Sequence, residues 1–306
     1  MNKRILTVSS AYMCLSATMQ CLPGGSQERE GTGYQISPGG SGMTAALTFR
    51  AMGFDSIFFS AVGDDKYGER ITRFLSSAGV DCRYMKNCKK TKTGLYMTLT
   101  EEDKSWRAVK FPEANDKLTR ADLEEAFMTF PDALYLQKEL SDELTVAAAE
   151  IAHEKNIPVF FHPCRKCGDL QPEALGKLEM VILDADEVYS YCGVEPAEYD
   201  KFLQAAMALS SRFRSKYYVI RIPDRGSFIY DGIYYEMASE YPSTYLDEKG
   251  AKEVYGAAFT AAYLGSDCNM KKASKCAAAA YAYASSNKGD VTAVPSLSDL
   301  VPFLKK

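Results

Sequence analysis

Short β-type apolar runs recur along the chain, at Ile5–Val8, Ser56–Val62, Ala133–Leu136, Pro158–Phe161, Met180–Leu183 and Tyr217–Ile222. Segments with helical patterning lie between them: Met43–Met52, Lys66–Ala78, Asp142–Lys155, Glu198–Phe213 and Ala257–Leu264. In Asp142–Lys155 the apolar positions Leu144, Ala147, Ala148, Ile151 and Ala152 fall on one stripe of a 3.6-residue period. Strand alternating with helix predicts an α/β fold: a central, mostly parallel sheet with helices on both faces.

Two stretches break this rhythm. Met13–Ile36 and Asp81–Phe111 carry β-type runs, among them Leu95-Tyr-Met-Thr-Leu99 and Ala108-Val-Lys-Phe111, with no helix between them. They predict a small antiparallel β-sheet lid, formed by insertions at about 13–36 and 81–111 into a single α/β domain over 1–306. Leu22–Ser26, rich in Pro, Gly and Ser, is too short for a linker and reads as a turn.

Composition changes this picture little. The 306 residues are 46% apolar and 25% charged, which is ordinary for a globular protein, and a chain of this length buries enough surface to need no staples. Lys+Arg 36 against Asp+Glu 40 leaves a net charge of −4. That balance argues against nucleic acid or an anionic membrane as the main partner, and leaves room for a local basic phosphate pocket. The nine cysteines are scattered, and no secretory pattern is seen, so reduced thiols and a cytoplasmic location are expected. No apolar run approaches the length of a membrane span.

Several motifs carry candidate chemistry. Pro38-Gly-Gly-Ser-Gly42 precedes a helix, where glycines let a ligand approach backbone N–H groups; a plain loop is the other reading. Ala61-Val-Gly-Asp-Asp-Lys-Tyr-Gly68 follows a strand, with Asp65 placed either to cap the next helix or to line a site. Asp184-Ala-Asp-Glu187 sets carboxylates at the C-terminal end of a strand, the edge where α/β sheets bind ligands; they suit Mg²⁺ or simply decorate a helix start. Asp247-Glu-Lys-Gly-Ala-Lys-Glu253 runs into a helix, giving either an anion cradle beside a base or an ordinary cap. His162-Pro-Cys164-Arg-Lys-Cys167 lacks the fourth ligand of a closed zinc site, so uncommitted thiols are expected there.

In this order the motifs resemble the ribokinase-like (PfkB) family of carbohydrate kinases over nearly the whole chain. The resemblance runs through Gly39–Gly42, Val62–Gly68, Pro112-Glu-Ala-Asn115, Leu136-Gln-Lys-Glu139, Asp184-x-x-Glu187, Asp247-x-x-Gly-Ala-x-Glu253 and Gly289. It implies transfer of the ATP γ-phosphoryl to a substrate hydroxyl. Glu253 is then the general base, and Gly250, Ala251 and Lys252 form the anion hole. Asp184 and Glu187 organise Mg²⁺, and Asp184, Arg221 and Gly226 bind nucleotide. Tyr12, Cys14, Gly39, Gly40, Thr44 and Glu139 take the substrate positions. A homodimer joined through the lid follows from the same resemblance, and from the need to cover a sheet edge.

The sequence departs from the family where chemistry is expected. The signature Asp is Glu253, and the last anion-hole Gly is Lys252. The Thr-x-Gly-x-x-Gly segment reads Arg221-Ile-Pro-Asp-Arg-Gly226. The early sugar-gripping Asn-x-Asp is Tyr12-Met-Cys14, and the Asn after the Gly-Gly turn is Thr44. Usual furanose sugars are therefore less expected than another sugar-like or nucleoside-like alcohol. The alternative reading is a catalytically impaired relative that binds a ligand or regulates; a further one has Lys252 permanently filling the anion hole.

Overall fold

The structure, a computed structural model, describes residues 2–305 apart from 103–104, 165–169, 197, 224, 245–248, 288 and 290. In chain order the elements begin β1 (Arg4–Val8), β2 (Tyr12–Met19), β3 (Gly33–Gly39), α1 (Ser41–Ala51), β4 (Asp55–Gly63), α2 (Lys66–Ser77) and β5 (Met85–Cys88). Next come β6 (Leu95–Glu101), β7 (Trp106–Phe111), α3 (Arg120–Phe127), β8 (Ala133–Leu136), α4 (Asp142–Glu154) and β9 (Val159–Phe161). The chain continues with β10 (Lys177–Asp184), α5 (Ala185–Cys192), α6 (Tyr199–Arg212), β11 (Arg214–Ile222), β12 (Gly226–Tyr230) and β13 (Tyr235–Ala238). It closes with α7 (Ala251–Gly265), α8 (Met270–Ser285) and α9 (Leu297–Leu304).

Among the described residues a nine-stranded sheet runs β13-β12-β11-β10-β9-β8-β1-β4-β5. It is parallel from β5 to β11 and antiparallel at β12 and β13. Successive strand residues point to opposite faces, and both faces are buried. Leu6, Phe161, Val181 and Leu183 pack under α4 and α6 residues such as Ala148 and Phe202. Ile5, Phe160, Met180 and Ile182 pack under α7 and α8 residues such as Phe259 and Ala277. Each buried Phe or Leu contributes about 1.5–3 kcal/mol relative to exposure, so the short apolar runs are enough to set the strands.

The predicted strands and helices form, with shifted ends. α7 begins at Ala251 rather than at the apolar run from Ala257, because Gly250, in the left-handed region at φ 77°, starts it there. The expected lid needs two corrections. β5, inside the stretch 81–111, pairs in parallel with β4 in the large sheet. The separate four-stranded sheet, β3-β2-β6-β7, is not wholly antiparallel, since β2 and β6 pair in parallel at its centre. A parallel pair needs a long crossover, and α1, β4, α2 and β5 supply it here.

Directly paired residues share a face, so the register sorts the lid. Ser37, Cys14, Tyr96 and Lys110 form one row; Ile36, Leu15, Met97 and Val109 form the next, on the opposite face. The Cys14 face turns toward Tyr12, whose ring has Lys110 Nζ 5.4 Å from its centroid and the Tyr96 ring at 6.3 Å. Among the described residues no helix is long and apolar enough to cross a membrane.

Candidate active site

The large sheet has its topological switch between β1 and β8: the chain moves from β1 to β4 on one side, and from β8 to β9 on the other. Ligands bind outside the carboxyl ends of strands at such a point. Ser9 and Ser10 follow β1, Gln137 and Glu139 follow β8, and His162 and Cys164 follow β9. Asp184 ends β10 and is in register with Arg221 near the end of β11. All of these are buried or nearly so.

Two helix starts meet at this edge. α1 begins after Gly40, at φ 112°, and α7 begins after Gly250; no side chain caps either helix. Uncapped first-turn N–H groups leave donors for an anion. Ser41 Oγ, at the start of α1, donates to Glu253 Oε1 of α7 at 3.0 Å. Glu253 is partly exposed as a residue, yet burial of its carboxyl raises its pKa above the ordinary value. Its own backbone N–H and Ser41 oppose that rise, Asp184 adds to it, and Lys252 offsets it. Glu253 is thus a carboxylate made more basic than usual and held in one orientation.

Beside it stands an ion network. Arg221 Nε donates to Asp184 Oδ1 at 2.5 Å, and Lys252 Nζ lies 3.0 Å from Asp184 Oδ2. Lys252 Nζ also donates to Asp186 Oδ1 and Oδ2 at 3.0 and 3.1 Å. Burial alone would raise the Asp184 pKa, but Arg221 and then Lys252 hold it below the ordinary value. Burial disfavours the charged form of Lys252, yet Asp184 and Asp186 overrule it and raise its pKa. Arg221 is itself buried, stacked 4.3 Å over the Tyr281 ring, with Nη1 3.7 Å from Glu240 Oε1. The guanidinium expected to hold a phosphate is thus buried, with its Nε on Asp184 and its Nη1 without a hydrogen-bond partner among the described residues.

The acid pair expected to organise Mg²⁺ is engaged as well. Both Asp184 oxygens face protein cations. Glu187 Oε2 accepts from Asp184 N at 2.9 Å in a reciprocal capping box at the start of α5. Burial, then Asp184, pushes Glu187 well above the ordinary range, toward its neutral form. No group of three or more His, Cys, Asp or Glu suited to a metal occurs among the described residues. The residues, as arranged, do not fit a divalent ion bound directly at Asp184 and Glu187.

The expected substrate positions gather around the lid hinge. Tyr12 and Cys14 lie on β2, Gly39 ends β3, and Gly40 precedes α1. A Cβ on Gly40 would meet the Tyr12 ring at 3.4 Å. Thr44, fully buried, donates its hydroxyl to Gly40 O at 3.4 Å. Glu139 is buried, and its carbonyl accepts from Ser10 Oγ at 2.8 Å.

Some motifs turn out to hold the frame. Asp65 caps α2 through Gly68 N at 2.8 Å and also accepts from Thr93 N at 2.8 Å and Thr93 Oγ1 at 2.6 Å, tying the lid approach to the body. Asn115 accepts from Ala11 N at 3.1 Å and donates to Ala11 O at 3.0 Å, fixing the β1–β2 junction. Gly226, expected at the nucleotide, sits at φ 99°, where a Cβ would fall 1.8 Å from Ala238 O of β13; strand contact alone requires glycine there. Gly289 has φ 102°. Asp247, Asp224 and Cys167 lie outside the described residues.

Sequence reading missed Ser41, Asp186, Glu240 and Tyr281, and it missed the role of His162. Tyr135 Oη and His162 Nδ1 lie 2.6 Å apart, and Cys164 Sγ is 3.5 Å from the same nitrogen. Burial lowers His162 to about 4, so its ring is neutral at pH 7. A Cβ on Gly256 of α7 would stand 2.1 Å from His162 Nδ1, so that glycine is what lets α7 pack here. The described cysteines are free thiols.

A family model described as pfkB family carbohydrate kinase matches residues 2–297. The chain is 30% identical to a ribokinase of Bacillus subtilis over 164 residues, 53% of this chain and 55% of that protein. That match spans about half the length of the relative. A deoxyribokinase of Salmonella typhi is 20% identical over 302 residues, covering 98% of both chains. A solved Arabidopsis thaliana ribokinase, complexed with ribose and ATP, superposes with a TM-score of 0.88 at 20% identity, covering 100% of both chains. At that identity the likeness speaks for the fold.

Proposed function

The chain belongs to the pfkB family of carbohydrate kinases, and from that premise we propose that it transfers the γ-phosphoryl group of ATP to a hydroxyl of a sugar-like or nucleoside-like molecule. One observation carries the reading: Glu253, made more basic by burial and oriented by Ser41, stands in the uncapped first turn of α7 at the sheet's switch point. In the proposed step Glu253 takes the acceptor's hydroxyl proton, and the oxygen bonds to the γ-phosphorus. The bond from that phosphorus to ADP breaks, and the proton later leaves Glu253 to solvent. The N–H groups of Gly250, Ala251 and Lys252 offset the charge on the transferring group, and orientation supplies much of the rest. No step runs through Mg²⁺ at Asp184 and Glu187, whose groups are engaged as described. Tyr12, Cys14, Gly39, Gly40, Thr44 and Glu139 would line the acceptor side.

The test is ADP release from ATP and Mg²⁺ over a panel of sugars, nucleosides and other small alcohols. At least one acceptor is expected to raise ADP release well above the acceptor-free rate. Release that no acceptor raises would sink the proposal and favour a catalytically silent ligand-binding relative.

We further propose that two copies pair through the lid. The face bearing Leu15, Met97 and Val109 is apolar, and Val109 is 54% exposed, with Phe111 at 42% and Tyr34 at 77%. An apolar sheet face with open edges is stabilised by a second copy. Size-exclusion chromatography with light scattering should give a dimer for the native chain and a monomer for Val109→Glu. A monomeric native chain at micromolar concentration would refute the pairing.

A further inference from the structure

We propose that Lys252 is a tethered cation of the phosphate site, standing at Asp184, one of the acids expected to hold a divalent ion, and serving the phosphoryl oxygens itself. This rests on the kinase reading above and deepens it.

The residue lies in the first turn of α7, between Ala251 and the general base Glu253. Its ammonium bridges two carboxylates, with Asp184 Oδ2 at 3.0 Å and Asp186 oxygens at 3.0 and 3.1 Å. Asp184 spends its other oxygen on Arg221. Asp184 and Asp186 together carry two negative charges; Lys252 and Arg221 carry two positive ones. Each Asp184 oxygen thus already faces a protein cation, and a divalent ion binding there would have to displace Lys252. An ammonium has three N–H donors. Its hydrogen bonds go to Asp186 Oδ1 and Oδ2, with Asp184 Oδ2 as a third oxygen at 3.0 Å, so an incoming phosphoryl oxygen takes over one of these donors from Asp186. The Lys252 side chain is 37% exposed and Asp186 more so, which leaves the ammonium open to such an exchange. The carboxylates on one side and the helix start on the other fix the position of the charge before any ligand arrives. Preorganised charge of this kind binds a transferring phosphoryl group without a reorganisation penalty. Asp186 thereby becomes a positioning residue: it touches no reacting atom and acts by holding Lys252.

The experiment uses ADP as the probe, with binding measured by calorimetry in Mg²⁺ and, separately, in excess chelator. Removing the metal should weaken ADP binding to the native chain by less than about 3-fold. Lys252→Met should lose about 10- to 100-fold in the chelator arm, the worth of one charge-assisted hydrogen bond. Lys252→Arg should restore most of that loss. A second readout needs no nucleotide. Mn²⁺, followed by electron paramagnetic resonance, should bind Lys252→Met at least about 10-fold more tightly than the native chain, because the vacated carboxylates become a cation site. Thermal denaturation of each variant guards against misfolding.

Native ADP binding that falls on chelation as steeply as that of Lys252→Met would overturn the assignment. Equal Mn²⁺ affinity in the two proteins would do the same. Tighter ADP binding to Lys252→Met in both arms would also overturn it, showing the lysine to be a plug in the anion hole. Absence of ADP binding to the native chain in both arms would remove the nucleotide reading itself, and the lysine's role with it; the other outcomes remove the lysine's role alone.

Discussion

Glu253→Gln should lower the phosphotransfer rate constant by about 10²- to 10⁴-fold, the usual worth of a positioned general base, while leaving the fold intact. The substitution keeps shape and the capacity to accept from Ser41 Oγ, which donates to Glu253 at 3.0 Å. It removes only the ability to take a proton. The native enzyme should carry the same signature in its pH profile. Burial raises the Glu253 pKa, and the base works only when unprotonated. Activity is therefore lost as pH falls through a value above the ordinary glutamate range. Ser41 lowers that pKa by bonding to the charged form, so Ser41→Ala should move the acid limb to still higher pH. Measuring kcat/KM against pH for the native chain, Ser41→Ala and Glu253→Gln checks all three. A Glu253→Gln variant with more than a tenth of the native rate would mean that another group takes the proton.

The place of Glu253 at the start of a helix was legible because two signals coincide there. A Gly-Ala turn opens an apolar helix, and an acid stands just inside it. The strands were legible for the same kind of reason: each central run is buried on both faces, so it shows as a continuous apolar stretch. The lid's topology was not, because β-type patterning is the same in parallel and antiparallel pairs; only the long excursion between β2 and β6 decides it. Side-chain destinations were less visible still. From sequence Lys252 could be placed only in the turn that runs into a helix. That its ammonium turns to Asp186 depends on α5 and α7 meeting in space, and no spacing along the chain records that. The glycines illustrate the converse. Gly226 looked like part of a phosphate loop, but a neighbouring strand 1.8 Å from its absent Cβ is sufficient reason for it.

The largest stability loss is expected at Arg221, whose side chain is buried against Asp184. Arg221→Ala should destabilise the chain by about 3–5 kcal/mol, as breaking one side of a buried ion pair does. The side chain is buried, with Asp184 Oδ1 at 2.5 Å, Glu240 Oε1 at 3.7 Å and the Tyr281 ring at 4.3 Å. Lysine is no substitute, since it offers neither the planar fork nor the stacking. The loss should depend on pH in a definite direction. Asp184 has its pKa held below the ordinary value in the folded chain, so its stabilising share is present above the unfolded pKa, about 3.9. That share disappears as pH falls through the depressed folded value. The difference between native and Arg221→Ala should therefore be largest at neutral pH and shrink toward acid. Adding Asp184→Asn to an Arg221→Met chain should recover part of the loss, because the fully buried carboxylate is then no longer left without the guanidinium. Urea unfolding at several pH values, together with ADP affinity, separates a structural role for this arginine from a nucleotide-binding one. A loss of stability that follows pH in this way identifies a structural cation beneath the phosphate site. Stability unchanged within about 0.5 kcal/mol, the range of an ordinary surface substitution, with ADP binding sharply weakened, would instead return Arg221 to the nucleotide.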